Sequence, residues 1–190
     1  MGLLVPADFD LSTIKNGDER EVVSRLVDGL TDGWLIFPNV TFRTHRAHEI
    51  DVVLVHEEQG VVHLEVKGHR VYVQAGEWFG IQGKMKPQPF SQAKTNAFAL
   101  RDELKDRWPG VFDHFPVRYA VAFPNTTEVR GDLPPDIKRS QLFLAPDLED
   151  PQNAIDLLLA GARVGARFTV EQMNGIIKYL KPDADFSWDP

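Results

Sequence analysis

The sequence predicts a mixed α/β domain, a central sheet with strands running in both directions and helices on its flanks. Three observations lead there. The pattern runs helix, strands, helix, strand, helices along the chain. Two strongly apolar runs, Ile50–His56 and Val61–Lys67, are joined by the turn sequence Glu57-Glu58-Gln59-Gly60. The segments at 18–30, 90–107 and 170–180 repeat apolar residues at helical spacing.

The elements follow in order. Residues 1–15 read as irregular. Asn16 and Glu19 have capping-box spacing, and Val22, Val23, Leu26, Val27 and Leu30 line one face of a helix over 18–30. Asp32-Gly33 ends it. Trp34–Phe37 and Val40–Arg43 read as two short strands around Pro38-Asn39. After the hairpin, Val71–Gln74 and Glu77–Gln82 are short strand candidates and 83–89 a loop. Phe90–Arg107 reads as a long helix with Ala93, Ala97, Leu100 and Leu104 on one face, closed by Pro109-Gly110. Val117–Phe123 reads as a buried strand and Gln141–Leu144 as a last one. Ala154–Leu159 and Val170–Leu180 read as helices, the second capped by Thr169 and Gln172. In domain terms these are an irregular segment (1–16), a core (17–145), a helical extension (146–181) and a polar tail or linker with embedded aromatics (182–190).

Composition narrows the function classes. The chain has 190 residues, 43% hydrophobic and 26% charged, the values of a globular domain. It has no cysteine, so no disulfide framework and no thiolate zinc site. A net charge of −7 argues against a surface that grips nucleic acid all over, but allows a local basic groove. The sequence has neither a membrane-length apolar run nor a signal-peptide pattern at its start, so the expected location is cytoplasmic. There is no phosphate-binding Gly-x-x-x-x-Gly-Lys-Ser/Thr loop, so the chain itself is not expected to hydrolyse ATP.

Three charges stand where the strand pattern calls for apolar residues. Asp51 lies within IDVVLV, and Glu65 and Lys67 within VVHLEVKG. Side chains alternate along a strand, so Glu65 and Lys67 share a face. A three-residue loop at 58–60 with Gly60 left-handed sets residue 57 opposite 61. That register puts Asp51 opposite Lys67 and diagonal to Glu65. A salt bridge satisfies only one of the two acids, whereas a divalent cation satisfies the excess. Mg²⁺ or Mn²⁺ suits such a pair, keeping waters and phosphate oxygens in its remaining positions. A nearby lysine then orients water or neutralises phosphate charge.

Asp51 followed by Glu65-Val66-Lys67 resembles the PD-(D/E)XK nuclease superfamily, and within it the nuclease-related domain, NERD. The likeness runs from about Gly17 to Phe123. It covers Gly17-Asp18-Glu19 opening a helix, Glu49–Val55, Leu64–Gly68, and Pro89–Lys94 with Asn96 and Leu100. Glu-Ile-Asp stands where the superfamily name has Pro-Asp, a common departure. The resemblance implies a restriction-endonuclease-like mixed sheet and a metal-dependent DNA nuclease, standing N-terminal in a larger helicase-type protein. It implies Asp51 and Glu65 as metal ligands, joined by the Val66 carbonyl, with Lys67 as the water-orienting base. Glu19 would complete the metal shell, with Glu21 its rival and helical spacing favouring Glu19. A simple capping role for Glu19 stays open. Gln92 would touch the metal-bound water or substrate, or serve only as a first-turn helix residue.

Lys84, Lys86, Lys94 and Arg70, with Arg101 and His69, lie near this site in sequence and are candidate DNA-phosphate contacts. Trp78 and Phe79 are candidates for base stacking or, more simply, core packing. His45 and His48 lack the further ligands of a zinc site. His63 falls on the Glu65 face. A DNA-binding or helicase-docking module that does not cut is the alternative function.

Overall fold

The computed structural model describes residues 1–162 and 166–189. The strands are β1 (Leu3–Leu4), β2 (Trp34–Arg43), β3 (Ala47–His56), β4 (Gly60–Val66), β5 (Tyr72–Gln74), β6 (Glu77–Gly80), β7 (Gly83–Lys84), β8 (Val117–Phe123) and β9 (Leu142–Leu144). The helices are α1 (Gly17–Gly29), α2 (Pro89–Arg107), α3 (Pro151–Leu159) and α4 (Val170–Leu180). Six strands form a mixed sheet in the order β1-β2-β3-β4-β8-β9. β2, β3 and β4 are an antiparallel meander, while β1 runs parallel to β2, and β8 and β9 parallel to β4. β5, β6 and β7 make a separate small antiparallel sheet. The fold class is therefore the mixed sheet with flanking helices that the sequence predicts. No helix among the described residues is long and apolar enough to cross a membrane.

Both faces of the large sheet are buried. α2 and α4 cover one, packing Leu100, Leu104, Ile176 and Ile177 on Leu35, Phe37, Val53 and Val55. α1 and α3 cover the other, packing Val22, Val23, Leu26 and Ile155 on Ile36, Leu54, Val62 and Leu64. A third cluster seats the small sheet: Val73 and Trp78 rest on Phe90, Phe123 and Leu142. Trp188 folds back into the first core, and its N–H donates to Asn174 Oδ1 at 2.8 Å.

Four sequence expectations change. The segment 1–15 is not wholly irregular, because Leu3 and Leu4 pair with Leu35 and Ile36, and Val5 is buried. The two short strands around Pro38-Asn39 are one strand. Pro38 is tolerated because β1 pairs only with residues 35 and 36, leaving no neighbour on that side to need its missing N–H. The expected loop at 83–89 begins with a strand, since Gly83 and Lys84 pair with Gly80 and Phe79. The helix expected at Ala154–Leu159 starts earlier than its apolar pattern: α3 opens at Pro151, with Asp150 as its cap.

The hairpin register also differs, and this bears on the site. Val52 pairs with Leu64 and His56 with Gly60, so the turn is Glu57-Glu58-Gln59. Gly60 is left-handed, at φ 96°, yet is already paired. A Cβ there would meet the Pro116 carbonyl oxygen at 2.5 Å, which fixes the strand's start on glycine. The shift is two residues, so every side chain keeps its face. The pairing runs from His56–Gly60 to Val52–Leu64 and stops there, so Asp51, Glu65 and Lys67 lie just beyond the last pair.

Candidate active site

A phase break in the sheet positions Asp51. On β2, Leu35 and Phe37 and then Val40 and Phe42 point into the same core, so the strand skips one step at Asn39. Asn39 takes a left-handed conformation, φ 51°. β3 skips with it, since Ile50 and Val53 share that core. Asp51 falls in the break, where neither core claims its side chain. Its Oδ2 accepts the Val66 N–H of β4 at 2.7 Å.

Glu65 is 2% exposed, which an unpaired carboxylate would not survive. Lys67 Nζ donates to Glu65 Oε1 at 2.6 Å and to Gln92 Oε1 at 3.3 Å. His63, fully buried, sets Nδ1 3.0 Å from the Ala93 carbonyl of α2. That bond assigns the Nδ1 proton. The other nitrogen, Nε2, lies 3.6 Å from Glu65 Oε2 with no hydrogen-bond partner among the described residues. Gln92 thus meets Lys67 directly, and it also lines an opening of about 480 Å³ with His48, Glu49 and Asn96.

α1 brings a third acid. Asn16 Oδ1 caps the Asp18 N–H at 2.9 Å and the Glu19 N–H at 3.5 Å, and Asn16 Nδ2 donates to Glu19 Oε1 at 2.9 Å. The Glu19 carboxylate therefore accepts from the Asn16 side chain rather than from its backbone N–H, and it also feels the Glu65 and Lys67 charges. Glu21 is turned away and pairs with Arg25 at 2.8 Å. The helix end is clamped to β4 by Asn125, whose Nδ2 donates to Asp18 Oδ1 at 2.7 Å and to the Gly68 carbonyl at 2.8 Å. A Cβ on Gly68 would lie 1.8 Å from Asp18 Oδ2, so a side chain there would displace the Asp18 carboxylate from Asn125. Sequence reasoning missed this clamp. Its one visible signal was a glycine directly after Lys67.

The electrostatics follow from crowding acids around one ammonium. Burial, then the Glu65 charge, push the Asp51 carboxyl up to about 7, with Glu19 adding to this and the Val66 N–H and Lys67 opposing it. Burial also raises Glu65, but His63 and Lys67 outweigh it and hold that carboxyl below its ordinary value. Glu19 is raised, first by burial, against the Asn16 bond. The cluster therefore carries more acid than its lysine neutralises. Hard oxygen donors in that balance suit Mg²⁺ or Mn²⁺, which commonly take one or two carboxylates and fill the rest with water. Among the described residues no group of three or more His, Asp or Glu side chains stands in an arrangement that could hold a metal ion, so Asp51 and Glu65 are the pair from which a site would be built.

The predicted basic residues separate into three places. Lys84 and Lys86 line a groove of about 350 Å³ together with Lys67 and His69. Lys84 also pairs with Glu77 across the small sheet. Arg70 lies in a neighbouring cavity of about 640 Å³, with Tyr72, Asn125 and Arg130. Lys94 sits on the exposed side of α2, 5.8 Å from the Phe98 ring. Arg101, on the same helix, pairs with Asp102. Trp78 is 2% exposed, stacked on Phe123, so it packs the core and does not meet bases. His48 is occupied by Asn96 at 3.0 Å and Thr44 at 3.0 Å.

The fold and site define a class: a mixed α/β domain whose central hairpin sets two acids and a lysine at the point where its strands part. A family model, the nuclease-related domain, matches residues 15–124, more than half of the chain and every element from α1 to β8. The chain belongs to the nuclease-related domain (NERD) family. No curated protein and no solved structure matches it.

Proposed function

We propose that this domain is a nuclease of the PD-(D/E)XK type that hydrolyses DNA phosphodiester bonds with Mg²⁺ or Mn²⁺. One observation carries the reading: Asp51, Glu65 and Lys67 converge where β3 and β4 part, with more carboxylate than ammonium. Membership of the family points the same way, toward a nuclease-related function. Asp51 and Glu65 would hold the ion, with Glu19 and the Val66 carbonyl completing its protein contacts. A bound divalent ion supplies charge neutralisation and a more acidic water. Gln92 and Glu65 hold the Lys67 ammonium from two sides, so its position is set before substrate arrives. From there Lys67 orients the attacking water and offsets phosphate charge. The water oxygen bonds to phosphorus in line, and the 3′ oxygen leaves and takes a proton. Lys84 and Lys86, on the same groove, together with Arg70 and Lys94, would contact the DNA backbone. A fused or associated helicase is the protein partner that the family resemblance implies.

The test is cleavage of supercoiled, linear duplex and single-stranded DNA by the purified chain in Mn²⁺. Cleavage is expected, and Lys67→Ala should reduce it at least about a hundredfold, the scale of losing a charge-stabilising group. No cleavage of any form by the wild type would overturn the reading. The Lys67–Glu65 ion pair favours a second one, since it accounts for those two charges without a metal. A module that binds DNA or docks a helicase without cutting would then retain DNA binding and show no cleavage.

A further inference from the structure

The small sheet carries an apolar tip that neither its fold nor the cores explain. Ile81 is 89% exposed, more than any other large apolar side chain among the described residues. It sits in the two-residue turn Ile81-Gln82 between paired Gly80 and Gly83. Gly83 supplies the turn's left-handed residue, φ 103°, so nothing in the turn requires a β-branched side chain next to it. The hairpin below the tip is firmly seated. Trp78 stacks on Phe123, 5.4 Å between ring centroids, and tilts on Phe90 at 5.1 Å. Gln88 ties the hairpin to the start of α2, accepting the Trp78 N–H at 2.7 Å and donating to the Met85 carbonyl at 2.6 Å.

The tip also shares a groove with the candidate catalytic lysine. Ile81, Gln82, Lys84 and Lys86 line it together with Lys67 and His69. An isolated exposed isoleucine needs no explanation. One held on a firmly seated hairpin, lining the same groove as Lys67, Lys84 and Lys86, is placed against whatever the groove admits. The lysines select a polyanion. An aliphatic tip has no π face for stacking on single-stranded bases, as a tyrosine or tryptophan would have. Aliphatic side chains act on nucleic acid as wedges, entering the minor groove of a duplex and prising a base step.

We propose that Ile81 is a duplex wedge: the β6–β7 hairpin inserts it into a base step of double-stranded DNA while Lys84 and Lys86 hold the adjacent phosphates. This rests on the nuclease reading and names its substrate class as duplex DNA. The wedge would bend the duplex so that the phosphate beyond the hairpin enters the groove toward Lys67. Such a device is sequence-tolerant and favours flexible pyrimidine–purine steps, which unstack most easily.

The experiment uses the full chain in Ca²⁺, an ion chosen to hold cleavage back, and a duplex with 2-aminopurine at a central TA step. The expected result is a rise in 2-aminopurine fluorescence on binding, because an unstacked base is less quenched. Ile81→Ser should abolish that rise and weaken duplex binding about tenfold, in line with losing one buried aliphatic side chain. Ile81→Met should restore both, and neither variant should change thermal stability. A duplex that binds Ile81→Ser with wild-type affinity and brightening overturns the wedge. If the same preparation still cleaves DNA in Mn²⁺, the nuclease reading survives that failure. Wild-type protein that neither binds nor cleaves duplex overturns both. Wild-type cleavage confined to single strands also overturns the wedge. Wild-type protein that binds duplex with no brightening, while Ile81→Ser loses binding to a protein partner, assigns the tip to protein docking instead.

Discussion

At the scale of single residues, the site is governed by Asp51. Its carboxyl is held up near 7 by burial and by the Glu65 charge, while an unfolded aspartate ionises near 3.9. The folded state therefore binds the extra proton between those values. A raised folded value means this contribution is present below about 4 and is lost as pH rises through about 7. In EDTA, denaturant titrations should show the wild type losing stability between pH 5 and pH 8, by on the order of 1–3 kcal/mol from this group. Asp51→Asn should flatten that dependence, and be the more stable of the two at pH 8, because an amide oxygen can still accept the Val66 N–H. It should also abolish cleavage. A wild type and variant with parallel stability profiles would show that Asp51 is ionised in the metal-free fold. Mn²⁺ should restore wild-type stability at pH 8, since whatever binds only the native state stabilises it.

At the scale of elements, the site depends on how α1 meets β4. Helical spacing puts Glu19 on the core-facing side of α1, but it does not fix how closely that side approaches Glu65. The approach is set by Asn125, which bridges Asp18 and the Gly68 carbonyl, and by the absence of a side chain at Gly68. Gly68→Ala puts a methyl inside the Asp18 carboxylate, so that side chain must turn away and release Asn125. We expect it to cost roughly 1–3 kcal/mol, the range of overpacking. Divalent-ion affinity should fall with it, read by calorimetry with Mn²⁺. A Gly68→Ala protein that binds Mn²⁺ as the wild type does would separate Glu19 from the metal shell. The hairpin shows the same lesson on the other side of the site. A two-residue change of register leaves both faces intact, yet ends the pairing at Val52–Leu64, so that Asp51 reaches the Val66 N–H instead of a residue opposite it. The Glu65 charge then helps hold the Asp51 carboxyl up.

At the scale of the whole molecule, a net charge of −7 has to be reconciled with the proposed DNA binding. The structure concentrates candidate phosphate-binding residues beside Lys67 and leaves Lys94 on a separate helix face. Binding should then depend on few ion pairs with the backbone. The slope of log affinity against log salt should be shallow, and Lys84→Ala with Lys86→Ala should reduce it by roughly 2, near 0.9 for each phosphate that is no longer neutralised. Filter binding or fluorescence anisotropy across a salt series measures this. An unchanged slope would move the DNA path off the small sheet. α3 and α4 belong to this scale as well, since each helps cover one face of the large sheet.

Sequence and tertiary structure divide the protein along a physical line. Periodicity showed the helices, the central hairpin and the mixed α/β class, because amphipathic faces leave a repeat that needs no partner to be read. Composition and strand alternation singled out Asp51, Glu65 and Lys67, because a charge in an apolar strand stands out wherever the strand ends up. Short elements were less legible. β1 and β7 are two residues each, too short for any period, and exist through pairing alone. The approach of Gln92 to Lys67, the orphaned His63 nitrogen and the Asn125 clamp join residues far apart in the chain. Local propensity carries no trace of such meetings. Only the packing of α1, α2 and the sheet decides them, because burial and charge act through space while the sequence orders residues along a line.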